Sequence, residues 1–299
     1  DDVVVPEDVR TQLQELSSRV QNRNWVLGNW GFGRRQSYGL GVNALFAGPT
    51  GTGKTMAAEA IAHVLGKDLY KIDLTSVVSK YIGETEQKLE QVFQAGEATQ
   101  AVLFFDEADS LLGKRSEVKD AHDRYANLEV SYLLQRMERY DGLIVLATNL
   151  LGNLDEAFLR RMATIVHFSK PAVGERRLLW QKAWPRDGHG RFTFPMETRS
   201  GFEIDFDFLA ERFELTGGNI RNAVVAAAFS AADRPCFSFV TMWDVLQGVR
   251  REFQKLGQVM TDDELGLTLF RDPAESGTLV KEESLEITQG QQAEVSVAK

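Results

Sequence analysis

Apolar and polar positions follow two patterns along the chain, and one gives way to the other near residue 170. In the first part, five short apolar runs alternate with stretches of helical periodicity. Such alternation is typical of a parallel β-sheet with helices on both faces, where ligands bind at the carboxyl ends of the strands. The predicted strands are Ala44–Ala47, Leu69–Asp73, Ala101–Asp106, Leu143–Thr148 and Thr164–Phe168.

Beyond Pro171 the periodicity predicts helices only, which indicates a smaller helical domain. After Gly257 the periodicity fades and acidic and polar residues dominate. We therefore expect an α/β domain over residues 1–170, a helical domain over residues 171–257 and an acidic, mostly disordered tail over residues 258–299. Near the amino end, an amphipathic helix is predicted over Glu7–Val20, followed by an irregular connector from Asn22 to Gly41.

Charge and composition exclude several classes of protein. Of the net charge of −9, most lies in the predicted tail, so the remainder is nearly neutral and lacks the basic stripe typical of nucleic-acid binding. No apolar run reaches the roughly 18 residues of a membrane span. Cys236 is the single cysteine, which indicates a reducing compartment, and we expect a cytoplasmic location. The four scattered histidines do not have the spacing of a zinc site.

A phosphate-binding loop follows the first predicted strand. The segment Gly48-Pro49-Thr50-Gly51-Thr52-Gly53-Lys54-Thr55 satisfies the pattern G-x-x-x-x-G-K-[ST], and an amphipathic helix follows it. Its glycines let successive N–H groups point at phosphate oxygens, where the helix dipole also favours negative charge. In this pattern Lys54 reaches the β- and γ-phosphates and the Thr55 hydroxyl binds Mg²⁺. A chance glycine-rich turn is the alternative, and the strand before the loop and the helix after it argue against that.

Two carboxylates end the third predicted strand. Asp106 can complete the Mg²⁺ shell opposite Thr55, and Glu107 can polarise the water that attacks the γ-phosphate. The alternative is a pair of acids that cap the next helix. With Ala108 and Asp109 they also spell the tetrad of a helicase family, but such helicases need two α/β lobes and this chain has room for one.

Polar residues also follow the next predicted strand. Asn149 ends the run that starts at Leu143, where it can orient the attacking water or form an ordinary turn. Arg160 and Arg161 come just before the last strand. Adjacent arginines are usually solvated or paired with acids, but beside a hydrolytic site they can neutralise charge on a neighbouring subunit's nucleotide.

Taken together, these motifs resemble those of the AAA+ ATPases, and the resemblance covers residues 1–257. Residues 48–55 match the Walker A loop, Asp106 and Glu107 match Walker B, Asn149 matches sensor 1, and Arg160 and Arg161 match the arginine fingers. Within the family, Asp109–Asn127 and the arginine doublet look most like stand-alone bacterial AAA ATPases, some of which are encoded with contractile, phage-tail-like injection systems.

Further positions are assigned by the resemblance alone. Ser79–Glu86 looks like the first pore loop, which grips polypeptide in the central channel. Arg221 resembles a sensor 2 arginine, although a helix-surface arginine is an equal alternative. The resemblance adds Met56 and Gly218 to the nucleotide-binding positions. The pore-loop residues implied are Lys80, Tyr81, Ile82 and Gly83.

The resemblance implies a P-loop NTPase sheet followed by a helical lid, binding of ATP and Mg²⁺, and a ring of subunits, most often six. It implies a chaperone-like motor that remodels, unfolds or disassembles protein substrates through a central pore. Two other readings remain open. One is a nucleic-acid motor or loader, against which the low basicity counts. The other is a nucleotide-dependent assembly scaffold, against which the intact hydrolytic residues count.

Overall fold

The computed structural model describes residues 3–35, 41–77, 83–112, 121–189, 192–193, 203–234 and 239–270. These residues belong to two compact units, Asp1–Glu175 and Arg176–Lys299. The division comes close to residue 170, where the pattern of apolar positions changes. Each unit has its own hydrophobic core.

The first unit is built on a five-stranded parallel sheet with the strand order β2-β3-β4-β1-β5. This confirms the predicted α/β fold class. Because β4 lies between β3 and β1, the residues that follow these three strands meet at the carboxyl ends of the strands. We call this side of the sheet its carboxyl edge. The strands are β1 (Val42–Ala47), β2 (Leu69–Asp73), β3 (Val102–Asp106), β4 (Leu143–Thr148) and β5 (Thr164–His167).

Helices cover both faces of this sheet. Alternate residues of each strand point to opposite faces, so Phe46 and Phe104 pack in one core and Phe105 in the other. Because β1 and β4 are buried along their whole length, their sequences are almost continuously apolar. The helices are α1 (Glu7–Asn24), α2 (Lys54–Leu65), α3 (Leu74–Val77), α4 (Glu84–Thr99), α5 (Asp109–Leu112), α6 (Ala121–Arg139) and α7 (Glu156–Leu159).

The amino-terminal segment differs from its prediction. α1 continues to Asn24 and leads into a π-helical turn, Trp25–Asn29, so the predicted connector is helical in its first part. Periodicity failed here because Trp25 and Trp30 are 57% and 63% exposed and mark no buried stripe. No helix in the described part of the chain is both long enough and apolar enough to cross a membrane.

The second unit consists of helices around one core. At Gly248 a Cβ atom would lie 2.3 Å from the carbonyl oxygen of Ala223, so the missing side chain is what lets two long helices pack closely. Trp180 and Trp184 lie in this core. The helices are α8 (Val173–Lys182), α9 (Phe206–Arg212), α10 (Gly217–Ala232), α11 (Met242–Lys255) and α12 (Asp262–Leu265).

The start of the predicted disordered tail is ordered. Thr261 caps α12 with a capping box to Glu264, and a 3₁₀ turn, Leu267–Leu269, follows. Leu265 and Leu267 are buried in the core of the second unit. A helix of four residues is too short to show a periodicity, so the expectation of disorder was wrong for residues 261–270. Residues 271–299 lie outside the described part.

Candidate active site

The phosphate loop connects β1 to α2 and depends on glycine at two points. Gly48 has φ of 152°, and a Cβ atom there would lie 1.9 Å from the carbonyl oxygen of Phe168. Gly53 has φ of 97° and is the residue from which α2 begins. A Cβ atom at Gly53 would meet nothing within 4 Å, so glycine is favoured there by its backbone conformation and not by lack of space.

Lys54 is the first residue of α2 and is only 7% exposed. Its ammonium group donates hydrogen bonds to the carbonyl oxygens of Gly48 (2.5 Å) and Pro49 (3.0 Å) and to Oδ1 of Asn149 (2.8 Å). Burial lowers the pKa of Lys54 from its ordinary value of 10.5, and the negative charges of Asp106 and Asp109 oppose that shift. The structure therefore holds a cation against the loop where the sequence predicts bound phosphates.

Asn149 follows β4 and is brought to the phosphate loop by the strand order. The Lys54–Asn149 hydrogen bond joins residues 95 positions apart in the sequence. Two backbone hydrogen bonds secure the same place: Gly48 N donates to Thr148 O (3.1 Å), and Ala108 N donates to Ala147 O (2.8 Å). The end of β4 is thus tied to the loops that follow both of its neighbours.

Asp106 and Glu107 lie at the end of β3, on the other side of β4. The Asp106 carboxylate accepts a hydrogen bond from Glu107 N (3.0 Å) and pairs with Lys71 Nζ on β2 (3.4 Å). Glu107 has φ of 54°, a left-handed conformation that costs about 1 to 3 kcal/mol in residues other than glycine and that occurs at active sites as well as in turns and at helix ends. Its side chain is exposed to solvent at this edge of the sheet.

Asp109 and Thr148 belong to the same edge, although sequence reasoning assigned them no role there. The Thr148 hydroxyl donates to Asp109 Oδ1 (2.8 Å) and accepts from Leu150 N (3.0 Å). Asp109 Oδ1 also accepts a long hydrogen bond from Asn149 N (3.4 Å). The only signal in the sequence was the position of Asp109 in the acidic tetrad, which favoured a helicase motif rather than a contact to β4.

Arg160 and Arg161 lie at the amino ends of the strands. This edge of the sheet is opposite to the carboxyl edge, where the phosphate loop lies. Two residues beyond Arg161, Ala163 N donates to Asn43 O (2.7 Å) near the start of β1, whereas the loop follows the end of β1. The six residues of β1, at about 3.3 Å each, separate the two edges by roughly 17 to 20 Å. The arginines and the phosphate loop of one chain are therefore not brought together.

The two arginines also differ in their surroundings. Arg160 is 81% exposed and pairs with Glu156 one turn earlier at 3.7 Å. Arg161 is 41% exposed, and its Nε lies 2.8 Å from Glu138 on α6. A cleft of about 1020 Å³ lies at this edge, lined in part by Trp25, Trp30, Phe32 and Ala163.

The remaining predicted positions are on other elements or outside the described residues. Met56 is on α2 and is 47% exposed. Gly218 and Arg221 lie in the first turns of α10 in the second unit, and the Arg221 side chain is exposed. Lys80, Tyr81 and Ile82 are outside the described residues. Gly83 has φ of 83° and directly precedes α4.

The residues of this edge fit a nucleoside triphosphate with Mg²⁺. The amino-terminal end of α2 and the ammonium group of Lys54 are both suited to bind an anion. Thr55 and Asp106 supply a hydroxyl and a carboxylate oxygen, and Mg²⁺ in such sites is held by one or two protein oxygens together with phosphate oxygens and water. Among the described residues no cluster of three or more His, Cys, Asp or Glu side chains forms a metal site.

Comparison with known proteins agrees with this geometry. Residues 44–170 match the profile of the "ATPase family associated with various cellular activities (AAA)". Three similar proteins are Proteasome-activating nucleotidase 2 of Haloferax volcanii (33% identical, 62% of this chain, 45% of that protein), Spastin of Drosophila virilis (31%, 64% and 24%) and a 26S proteasome regulatory subunit 6B homolog of Dictyostelium discoideum (34%, 62% and 46%).

The chain spans less than half the length of each of these relatives. The matched region contains the whole candidate site, from the phosphate loop through Asp106 and Asn149 to Arg161. The five parallel strands, their order, the phosphate loop and the family match lead to one conclusion. Residues 44–170 of the chain form an AAA ATPase domain.

Proposed function

We propose that this protein hydrolyses ATP at the carboxyl edge of its sheet, in a ring of subunits, and uses the energy to remodel polypeptides in the cytoplasm. The observation that carries the proposal is the placement of two sets of hydrolytic residues at opposite edges of one sheet. Lys54, Glu107 and Asn149 lie at one edge, and the arginines lie at the other. A complete site then needs a second copy of the chain.

Within one subunit, each residue has a distinct task. The loop N–H groups and Lys54 bind and orient the phosphates. Glu107 accepts the proton of the attacking water, and Asn149 orients that water while it contacts Lys54. Thr55 and Asp106 would hold Mg²⁺, which would supply positive charge to neutralise the phosphate oxygens. Lys71, now paired with the Asp106 carboxylate, can move to solvent because its side chain is 53% exposed.

Assembly into a ring has two supports. The first is that Arg160 is exposed at the edge far from its own phosphate loop, where a neighbour's nucleotide can reach it. The second is the apolar surface beside it, where Trp25, Trp30 and Phe32 are each more than half exposed. Exposed aromatic patches of this kind are typical of association surfaces. A head-to-tail contact repeated around an axis closes into a ring, and the family resemblance favours six subunits.

A polypeptide substrate is supported by the relatives and by the charge of the chain. Two of the three relatives are named for the proteasome. The predicted pore segment carries Tyr81 with one adjacent lysine and two acids, Glu84 and Glu86, which does not suit a phosphate backbone. The proposed substrate class is therefore protein chains, gripped by Tyr81 in the channel.

The test compares two variants of the full chain. Lys54→Ala removes the phosphate-binding ammonium, so ATP binding should be lost. Glu107→Gln keeps the shape of the side chain without its base, so it should bind ATP, hydrolyse it slowly and accumulate as a ring on a sizing column with light scattering. Normal phosphate release by Glu107→Gln would overturn the assignment of the base. A wild-type chain that releases no phosphate, alone or with unfolded protein, would overturn the proposed function.

A further inference from the structure

A chain of polar contacts runs behind Asn149 on the side away from the phosphate loop. Thr148 is 1% exposed, so its hydroxyl is a buried group whose two hydrogen bonds are both to protein. It donates to Asp109 Oδ1, and it accepts from the backbone N–H of Leu150, the residue after Asn149. The turn that presents Asn149 is therefore held from both sides by one hydroxyl and one carboxylate.

The elements involved explain why this turn needs support. β4 ends at Thr148, and Leu150 has φ of −131° and ψ of 66°, so regular strand hydrogen bonding stops where Asn149 begins. Asp109 is the first residue of α5, which follows directly from the strand that carries Asp106 and Glu107. The Asp109–Thr148 hydrogen bond thus links the segment that bears the proposed base to the segment that bears the water-orienting amide.

We propose that Asp109 and Thr148 are positioning residues that fix Asn149 for hydrolysis, an inference that rests on the function proposed above. The Thr148 hydroxyl and the Asp109 carboxylate bond to each other and to the backbone N–H groups of the turn, whereas the side-chain contact to Lys54 is made by Asn149. Their effect on turnover passes through the orientation of Asn149. Displacement of a reacting or orienting group by about 1 Å costs on the order of 100-fold in rate. An intact Asn149 on a loosened turn would therefore contribute little to the rate of hydrolysis.

The experiment uses a pair of substitutions at one position. Thr148→Val removes the hydroxyl and keeps the β-branched shape, and Thr148→Ser keeps the hydroxyl. Thr148→Val should reduce kcat by about 10- to 100-fold with the Kd for ATP within about 3-fold of wild type. Thr148→Ser should recover turnover to within a few-fold. The matched control is Thr99→Val at the exposed end of α4, where the hydroxyl donates to Ala95 O of the same helix. Turnover should not change in this variant.

A double variant separates positioning from simple destabilisation. If Thr148 acts through Asn149, then Thr148→Val should add nothing to the defect of Asn149→Ala, because the group being positioned is already gone. Multiplicative defects, or a Thr148→Val variant with wild-type kcat, would overturn the inference. Should Thr148→Val unfold, as monitored by circular dichroism, Thr148→Ala in the same two backgrounds gives the same comparison, because it also removes the hydroxyl and leaves the charge of Asp109 in place. Absence of turnover in the wild type would instead refute the proposed function.

Discussion

Two arginines that the sequence treats alike have different surroundings in the structure. Arg160 makes an exposed pair with Glu156, whereas Arg161 makes a shorter and less exposed contact with Glu138. An exposed pair four residues apart in a helical turn contributes about 0.3 to 0.5 kcal/mol. The unpaired state of Arg160, which can reach a neighbour's nucleotide, is therefore disfavoured by only about two-fold relative to the pair with Glu156. Arg161 would have to leave a contact that ties its segment to α6.

Arg160→Ala should reduce turnover by about 10³-fold, which corresponds to about 4 kcal/mol of transition-state stabilisation. The affinity for ATP should stay close to wild type because the substitution lies at the edge of the sheet away from the phosphate loop. Arg161→Ala should lower the free energy of unfolding by about 1 kcal/mol and reduce turnover by less than about ten-fold. Steady-state phosphate release and urea unfolding measure the two quantities.

Mixing experiments test whether Arg160 acts across subunits. Lys54→Ala subunits keep Arg160 but cannot bind ATP, and Arg160→Ala subunits keep the phosphate loop. In a randomly mixed one-to-one ring, about a quarter of the junctions pair an intact loop with an intact arginine, so activity should reappear. No recovery at any mixing ratio would refute a shared site. If Arg161→Ala abolished turnover while Arg160→Ala retained it, the reasoning from exposure and pairing would be wrong.

Three further predictions concern other parts of the chain. Gly48→Ala should lower both ATP affinity and the melting temperature, because its Cβ would overlap the carbonyl of Phe168. The control is Gly174→Ala, where a Cβ meets nothing within 4 Å, and it should change neither quantity. Equal behaviour of the two variants would contradict the close approach of Gly48 to Phe168. Burial raises the pKa of Glu252, but hydrogen bonds from Lys255 and two asparagines outweigh it, and the pKa lies below its ordinary 4.5. Its stabilisation is therefore present above about pH 4.5 and lost as the pH falls further, so urea unfolding should show less acid dependence in Glu252→Gln than in wild type. Tyr81→Ala should keep basal ATP turnover within a few-fold but lose stimulation by unfolded protein, and normal remodelling by this variant would rule out peptide threading.

Much of the fold follows from local patterns in the sequence. The five strands were predicted within two residues of their ends because buried parallel strands are apolar without interruption. Beyond Pro171 the helical periodicity was recognisable for a similar reason, since α10 and α11 each present a long apolar face to one core. α12 was missed because its contribution to the core is Leu265 and, just beyond it, Leu267, and two apolar residues make no period.

The phosphate loop, the paired carboxylates and Asn149 could be named from the sequence because each needs particular residue types directly after a strand. Local sequence carries that information, since a glycine-rich turn or a strand-ending carboxylate is fixed by its own few residues. The tertiary structure alone decided which strands are neighbours. That order puts Asn149 against Lys54 and links Asp109 to Thr148. Strand order depends on contacts between residues about 40 to 100 positions apart, and no short stretch of the sequence encodes those contacts.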